Sequence, residues 1–261
     1  MARRPTALAR LAFLLAMAGS LAASAGATRP AEGPAELAWM RAAVAGLADA
    51  DAQVREDSRR RLLQADPRWL PLLERTVRES APLLPAQQAV IREIATHLFL
   101  AGRAYETGPT RSAFLGVVLQ SQLEIDDRGV LRERAGGAVI ASRLIGFCGY
   151  AALEDGDVVL GIVERPDEPF NDRTDLIRVV ASLRGGERVR LRVIRDGKRL
   201  EAPVVLDIRP LAAQDNAAGG AMDQLLARRA QEAEEYWNAK FAPLLADPLA
   251  EAGRPAAAKE R

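Results

Sequence analysis

The chain has 261 residues, 49% of them apolar and 27% charged, which suits one or two globular domains with an ordinary core. Its 36 lysines and arginines are matched by 35 aspartates and glutamates. With no broad field of one sign, and no interleaving of aromatic and basic residues, nucleic acid is excluded as a principal partner. A single cysteine, Cys148, excludes an internal disulfide, so stability must come from packing.

The first 27 residues, "MARRPTALARLAFLLAMAGSLAASAGA", carry Arg3, Arg4 and Arg10, then an apolar stretch, then small residues ending Ala25-Gly26-Ala27. This is the build of a secretory signal peptide with cleavage before Thr28, and it places the protein in the periplasm or outside the cell. The apolar stretch is short and rich in alanine and glycine, a poor permanent span, so a retained anchor is the lesser of two open readings. The apolar pair expected after a twin-arginine signal is missing, and no cysteine follows for lipid attachment.

Residues 28–34 are expected to be a flexible linker, and 35–105 show helical periodicity. Trp39, Ala43, Leu47, Val54, Leu62 and Leu63 fall on helix faces, while Pro67, Pro71 and Pro85 suit helix starts. "LADADAQVREDSRRRLLQADPRWLPLLERTV" resembles one HEAT-type helical hairpin, although a plain helical bundle is the preferred reading. Either way the apolar face needs a neighbour, such as "PAQQAVIREIATHLFLAG". His97, the only histidine, stands there among Ile94, Leu98 and Leu100, which points to a packing role.

From residue 112 the apolar period changes to two. "SAFLGVVLQ", "GAVIASRLI", "DVVLGIV", "ERVRLRVIR" and "KRLEAPVVLDI" are expected strands, and Asp196-Gly197 suits the tight turn of a hairpin. "NDRTDLIRVVASLRGG" is expected to be a helix capped by Asn171 or Asp172 and ended by Gly185-Gly186. Residues 218–246 give a C-terminal amphipathic helix with Met222, Leu226, Ala230, Ala233, Trp237, Phe241 and Leu244 on its apolar stripe. Pro243 is expected to kink or end it. That stripe packs on the body of the protein or, alternatively, forms a homo-oligomer or partner contact. Residues 247–261 are expected to be a disordered tail.

The middle region, residues 112–209, resembles a PDZ domain of the type found in bacterial exported proteases of the high-temperature-requirement family. "AFLGVVL" is similar to the carboxylate-binding loop and its strand. "GAVIASRLIGFCGYAALEDGDVVLGI" is similar to the strand, short helix and Gly-Asp turn. "RTDLIRVVASLRGGERVRLRVIRDGK" and "LEAPVVLDI" match the second helix and closing strands. The resemblance implies an α+β fold: a small PDZ-like β-sandwich or partly open barrel with two helices, here preceded by the helical segment and followed by the C-terminal helix.

In the same resemblance, Leu115, Gly116 and Val117 supply the N–H groups that hold a peptide's terminal carboxylate. Ile177 and Val180, on the exposed side of the second helix, wall the pocket for its last side chain. The physics agrees: a glycine between two aliphatics before a strand lets successive N–H groups converge into an anion-binding nest, beside which a peptide adds as a strand. The bland alternative is a glycine that eases a bulge. Gly156 reverses the chain, and Asp157 is placed to hold amides of the turn. Two departures from the family stand out: Ala152 occupies a position where glycine is usual, and "VERPDEPFND" replaces a small loop.

No nucleophile motif, metal-ligand spacing or nucleotide loop is visible, and the acidic pairs Asp126-Asp127 and Glu154-Asp155 read as solvated turns. The expectation is therefore an exported adaptor that is not an enzyme, has no cofactor, and binds protein C-termini or extended segments. The alternatives are a structural subunit of an envelope complex and, as a minor third, a cryptic hydrolase. Cys148, in "LIGFCGYAAL", is either a buried inert thiol or one half of an intermolecular bridge.

Overall fold

The computed structural model describes residues 33–120, 123–125, 131–133, 136–214 and 220–245. The expected signal peptide, nearly all of the linker, the Asp126-Asp127 pair and the C-terminal tail lie outside the described residues.

Four helices come first: α1 (Pro34–Gly46), α2 (Ala52–Leu63), α3 (Leu70–Ser80) and α4 (Pro85–Ala101). Each proline sits where its missing N–H does no harm. Pro67 opens a 3-10 turn, Pro71 lies in the first turn of α3, and Pro85 starts α4. Asp51 caps α2 by accepting from the Gln53 N–H at 2.8 Å. Met40, Leu62, Leu72, Leu73, Val77, Ile91, Ile94 and Leu98 are buried together, each apolar side chain contributing about 1.5–3 kcal/mol. Val54, assigned to the apolar face from its spacing, instead stands exposed.

The sheet half is built from β1 (Ala113–Phe114), β2 (Val117–Leu119), β3 (Leu123–Ile125), β4 (Leu131–Glu133), β5 (Ala138–Arg143), α5 (Cys148–Ala152), β6 (Val158–Ile162), α6 (Arg173–Ser182), β7 (Arg188–Arg195), β8 (Lys198–Val205) and β9 (Asp207–Ile208). The main sheet is antiparallel in the order β2-β5-β6-β7-β8, with two-stranded β1-β9 and β3-β4 beside it. No closed barrel forms among the described residues, and the class is α+β. Asp196 (φ 48°) and Gly197 (φ 74°) make the β7–β8 turn. Val189, Leu191 and Val193 point into the core, and Arg188 and Arg190 point out.

The Gly-Asp turn is more tightly built than its spacing alone implies. Gly156 takes φ 92° and donates its N–H to the Ile140 carbonyl at 2.8 Å. Asp157 is buried; it accepts the Glu154 N–H at 2.8 Å and is clamped by Arg195 through Nε at 2.8 Å and Nη2 at 2.7 Å. Glu154 pairs with Arg60 and Arg195, and Asp155 with Arg143, so these acids are fastened rather than simply solvated. Ala152 ends α5 without a left-handed residue, because the cap Leu153 is extended (φ −118°). A glycine is therefore not needed at position 152.

After the sheet, α7 (Ala221–Lys240) and a short α8 (Ala242–Leu245) return to the helices, with Pro243 in the first turn of α8. The face of α7 that is buried runs through Leu225, Arg229, Ala233 and Trp237, while Ala230 is exposed. The C-terminal half matches the expected apolar stripe at Ala233, Trp237 and Phe241, whereas the N-terminal half is one residue out of register, with Leu225 and Arg229 buried in place of Leu226 and Ala230. α7 packs on α4, with Phe99 and Tyr236 stacked at 4.4 Å, so the face is used within the chain. Among the described residues no helix is long and apolar enough to cross a membrane.

Candidate functional site

The loop between β1 and β2 is Leu115-Gly116, with Val117 as the first residue of β2. Gly116 has φ 70°, a left-handed value that favours glycine, and a Cβ there would lie 2.2 Å from the Cβ of Phe147. Both loop carbonyls are turned toward residues 144–149. Leu115 O accepts the Gly149 N–H at 2.8 Å, and Gly116 O accepts the Leu144 N–H at 2.8 Å. The N–H groups of Leu115 and Gly116 donate to no described residue.

Val117 continues that pattern. The Gly116–Leu144 bond, with Val117 opposite Arg143 and Val118 opposite Ser142, makes Val117–Arg143 a pair whose own amides face away from the partner strand. The Val117 N–H therefore points to the outer side of β2, as does that of Leu119. β2 is the edge of the main sheet, and no described strand pairs with its outer side. Three successive amides thus lie next to one free edge.

The two wall residues on α6 separate. Ile177 is 52% exposed, whereas Val180 is 6% exposed and belongs to the core with Leu176, Val179 and Leu183. The expectation that Val180 lies on the exposed side is corrected: a helix lying on a sheet buries positions i, i+3, i+4 and i+7, and Val180 is one of these. α6 packs on β1 and β5, and the Ala113 N–H donates to Leu183 O at 2.9 Å, which anchors the helix's C-terminal end beside the loop.

Behind the loop lies a set of residues that spacing did not single out. Phe147 is fully buried, its ring 5.2 Å from Phe114, 5.6 Å from Tyr105 and 4.9 Å from the Arg229 guanidinium carbon. Cys148 is only partly buried as a residue, but its sulfur is enclosed, 3.4 Å from Phe114 O and 3.6 Å from Leu115 O. Burial, then the charge of Asp207, pushes its thiol well up and keeps it protonated. Asp207 accepts the Cys148 N–H at 2.6 Å, and burial raises its own carboxyl above the usual range.

His97 has the packing role expected of it. Its Nδ1 accepts the Gly146 N–H at 3.1 Å, its ring stacks on Tyr150 at 5.2 Å, and burial pushes it down to about 4. Tyr150 donates its hydroxyl to Glu93 at 2.8 Å, and Glu93 is also gripped by Arg59. Burial and that carboxylate push the phenol up to about 12.

No protein-family model matches the chain. It is similar to two curated proteins, each named a probable periplasmic serine endoprotease of DegP-like type. One, from Bartonella henselae, is 36% identical over 106 residues, 40% of this chain and 20% of that protein. The other, from Ectopseudomonas mendocina, is 31% identical over 114 residues, 43% of this chain and 23% of that protein. The chain thus matches about a fifth of the length of these relatives. Among solved structures, an HtrA-type protease, AlgW, with a decapeptide aligns at 20% identity and TM-score 0.30, over 47% of this chain and 35% of that one. A variant of it with a tripeptide aligns at 23% identity and TM-score 0.30, over 38% and 32%.

These relatives correct one reading. The sequence alone points to a chain that is not an enzyme, yet the proteins it matches are named serine endoproteases, so that expectation does not stand. About two fifths of this chain is related by sequence to periplasmic serine endoproteases of the DegP-like type.

Proposed function

We propose that the sheet half captures protein C-termini or extended segments by adding them as a strand along β2, in the periplasm or outside the cell. The terminal carboxylate docks on the amides of Leu115, Gly116 and Val117, and Ile177 flanks the last side chain. One observation carries this reading: both loop carbonyls are held from behind, while the Leu115 and Gly116 amides have no described acceptor. Such convergent amides suit an anion, and the free edge of β2 suits an incoming strand. The periplasmic setting draws on the names of the relatives and on the signal-like N-terminus. One carboxylate and one apolar side chain barely outweigh the entropy of association, so the dissociation constant should be on the order of micromolar.

Calorimetric titration with short peptides of varied C-terminal residue, each as free acid and as amide, tests the reading. Free acids should bind and amides should bind at least tenfold more weakly. Ile177→Asp, at an exposed position, should weaken binding without lowering the melting temperature. Equal binding of acids and amides, or none of either, would refute the carboxylate role.

A further inference from the structure

Arg229 is the one cationic residue in the core among the described residues, 3% exposed, and no described carboxylate lies within ion-pair distance of it. Its Nη2 donates to Leu100 O at 2.8 Å and to Gly146 O at 3.3 Å, and its Nε is buried without a partner. Its guanidinium lies over two rings, Tyr105 at 5.3 Å and Phe147 at 4.9 Å. Asp207 and Glu232 act on it only at longer range; a buried charge with no direct ion pair is expensive, and an apolar side chain would fill this position at lower cost. The charge therefore calls for a role beyond packing.

A chain of contacts leads from Arg229 to the loop. Gly146 is held at both polar groups, its N–H by His97 and its carbonyl by Arg229. At φ 82° it leaves no room for a side chain, since a Cβ would lie 2.4 Å from the Leu100 Cβ and 2.8 Å from Arg229 Nη2. The next residue, Phe147, presses on Gly116. On either side, the amides of Leu144 and Gly149 hold the carbonyls of Gly116 and Leu115. The segment that shapes the loop is thus fixed by α4 and α7, which lie outside the sheet half. It also carries two charges, the Arg229 guanidinium over the Phe147 ring and the Asp207 carboxylate on the Cys148 N–H.

We propose that Arg229 is a positioning residue for the Leu115-Gly116-Val117 loop, its charge favouring a free carboxylate there and its two carbonyl bonds setting the loop's shape. Recognition of chain ends then belongs to the sheet half together with α4 and α7. The inference rests on the peptide-capture reading above.

The test uses the full chain, as wild type, Arg229→Gln and Arg229→Lys, titrated with one peptide as free acid and as amide. Glutamine can still donate to Leu100 O or Gly146 O but is neutral; lysine keeps the charge but loses the fork. The acid-to-amide affinity ratio should fall about tenfold in Arg229→Gln and stay within twofold of wild type in Arg229→Lys. Both variants should bind the amide within about threefold of each other. An unchanged ratio in Arg229→Gln, or an equal fall in both, overturns the proposal. If Arg229→Gln does not fold, Arg229→Lys still decides, because a pure packing role predicts that it too loses the acid preference. A wild type that does not distinguish acid from amide defeats the peptide-capture reading itself, a separate outcome.

Discussion

Gly116 offers a direct test of the loop, because its backbone strain and its steric contact can be separated. Gly116→Ala places a side chain at φ 70° and a Cβ 2.2 Å from the Phe147 Cβ and 2.7 Å from its Cγ. Gly197 supplies the control: its φ is 74°, and a Cβ there would meet nothing within 4 Å. A left-handed alanine costs about 1–2 kcal/mol, so Gly197→Ala should lose that much. Gly116→Ala should lose the same plus about 1–3 kcal/mol for the overpacked contact, or about 2–5 kcal/mol in all. Because Phe147 is fully buried among rings, it has little freedom to retreat. Urea unfolding of the three proteins under one set of conditions gives both numbers, and a typical domain stability of about 5–15 kcal/mol keeps both variants measurable. Equal losses at positions 116 and 197 would mean that Phe147 does not press on the loop, and the account of how residues 144–149 shape the amides would fail.

Two further outcomes are expected. His97 is pushed down to about 4 by burial, against 6.5 for the exposed side chain, with Glu93 opposing and Arg143 and Arg229 reinforcing the shift. The unfolded chain therefore takes up a proton that the folded chain resists. Stability from this group is complete above about pH 6.5 and is lost as pH falls toward 4, by roughly 3 kcal/mol. Urea unfolding at pH 7 and pH 4.5 should show a smaller drop for His97→Gln than for wild type, and identical drops would refute the assignment. Separately, a fragment of residues 105–214 should unfold at lower urea than the intact chain, because it leaves Phe147 and Tyr150 uncovered; a fragment as stable as the whole would show that the sheet half needs no support.

Much of the fold was legible because its signals are local. The change of period near residue 112, the prolines at helix starts, Asp196-Gly197 and the Gly156-Asp157 turn each depend on a few adjacent residues, and each sits where its chemistry requires. The short β3 and β4 were missed because three residues do not establish an alternation. Val180 was misplaced because Ile177 and Val180 are both aliphatic, and only the orientation of α6 on the sheet tells them apart. Arg229 was missed for a deeper reason. A stripe drawn through apolar residues alone steps from Leu226 to Ala230, whereas the buried face steps from Leu225 to Arg229 and carries a charge. Long-range ties such as His97 to Gly146 and Arg195 to Asp157 leave no trace in spacing, because each partner is ordinary on its own.

The short helix α5 shows why the change of texture along the chain does not by itself divide the molecule into independent parts. A five-residue helix cannot hold itself in water, where nucleation alone outweighs its few hydrogen bonds. Its residues divide between two cores: Tyr150 and Ala151 pack against the helical cluster, and Cys148 and Ala152 against the sheet cluster. Tyr150 is pinned by Glu93, His97 and Arg143, and Gln64 reaches the Ala151 carbonyl at 3.4 Å. The segment entering α5 also fixes the carbonyls of the Leu115-Gly116 loop. One short stretch, residues 144–152, is therefore the seam between the halves and the mould of the candidate site, so whatever loosens the helices should alter the loop.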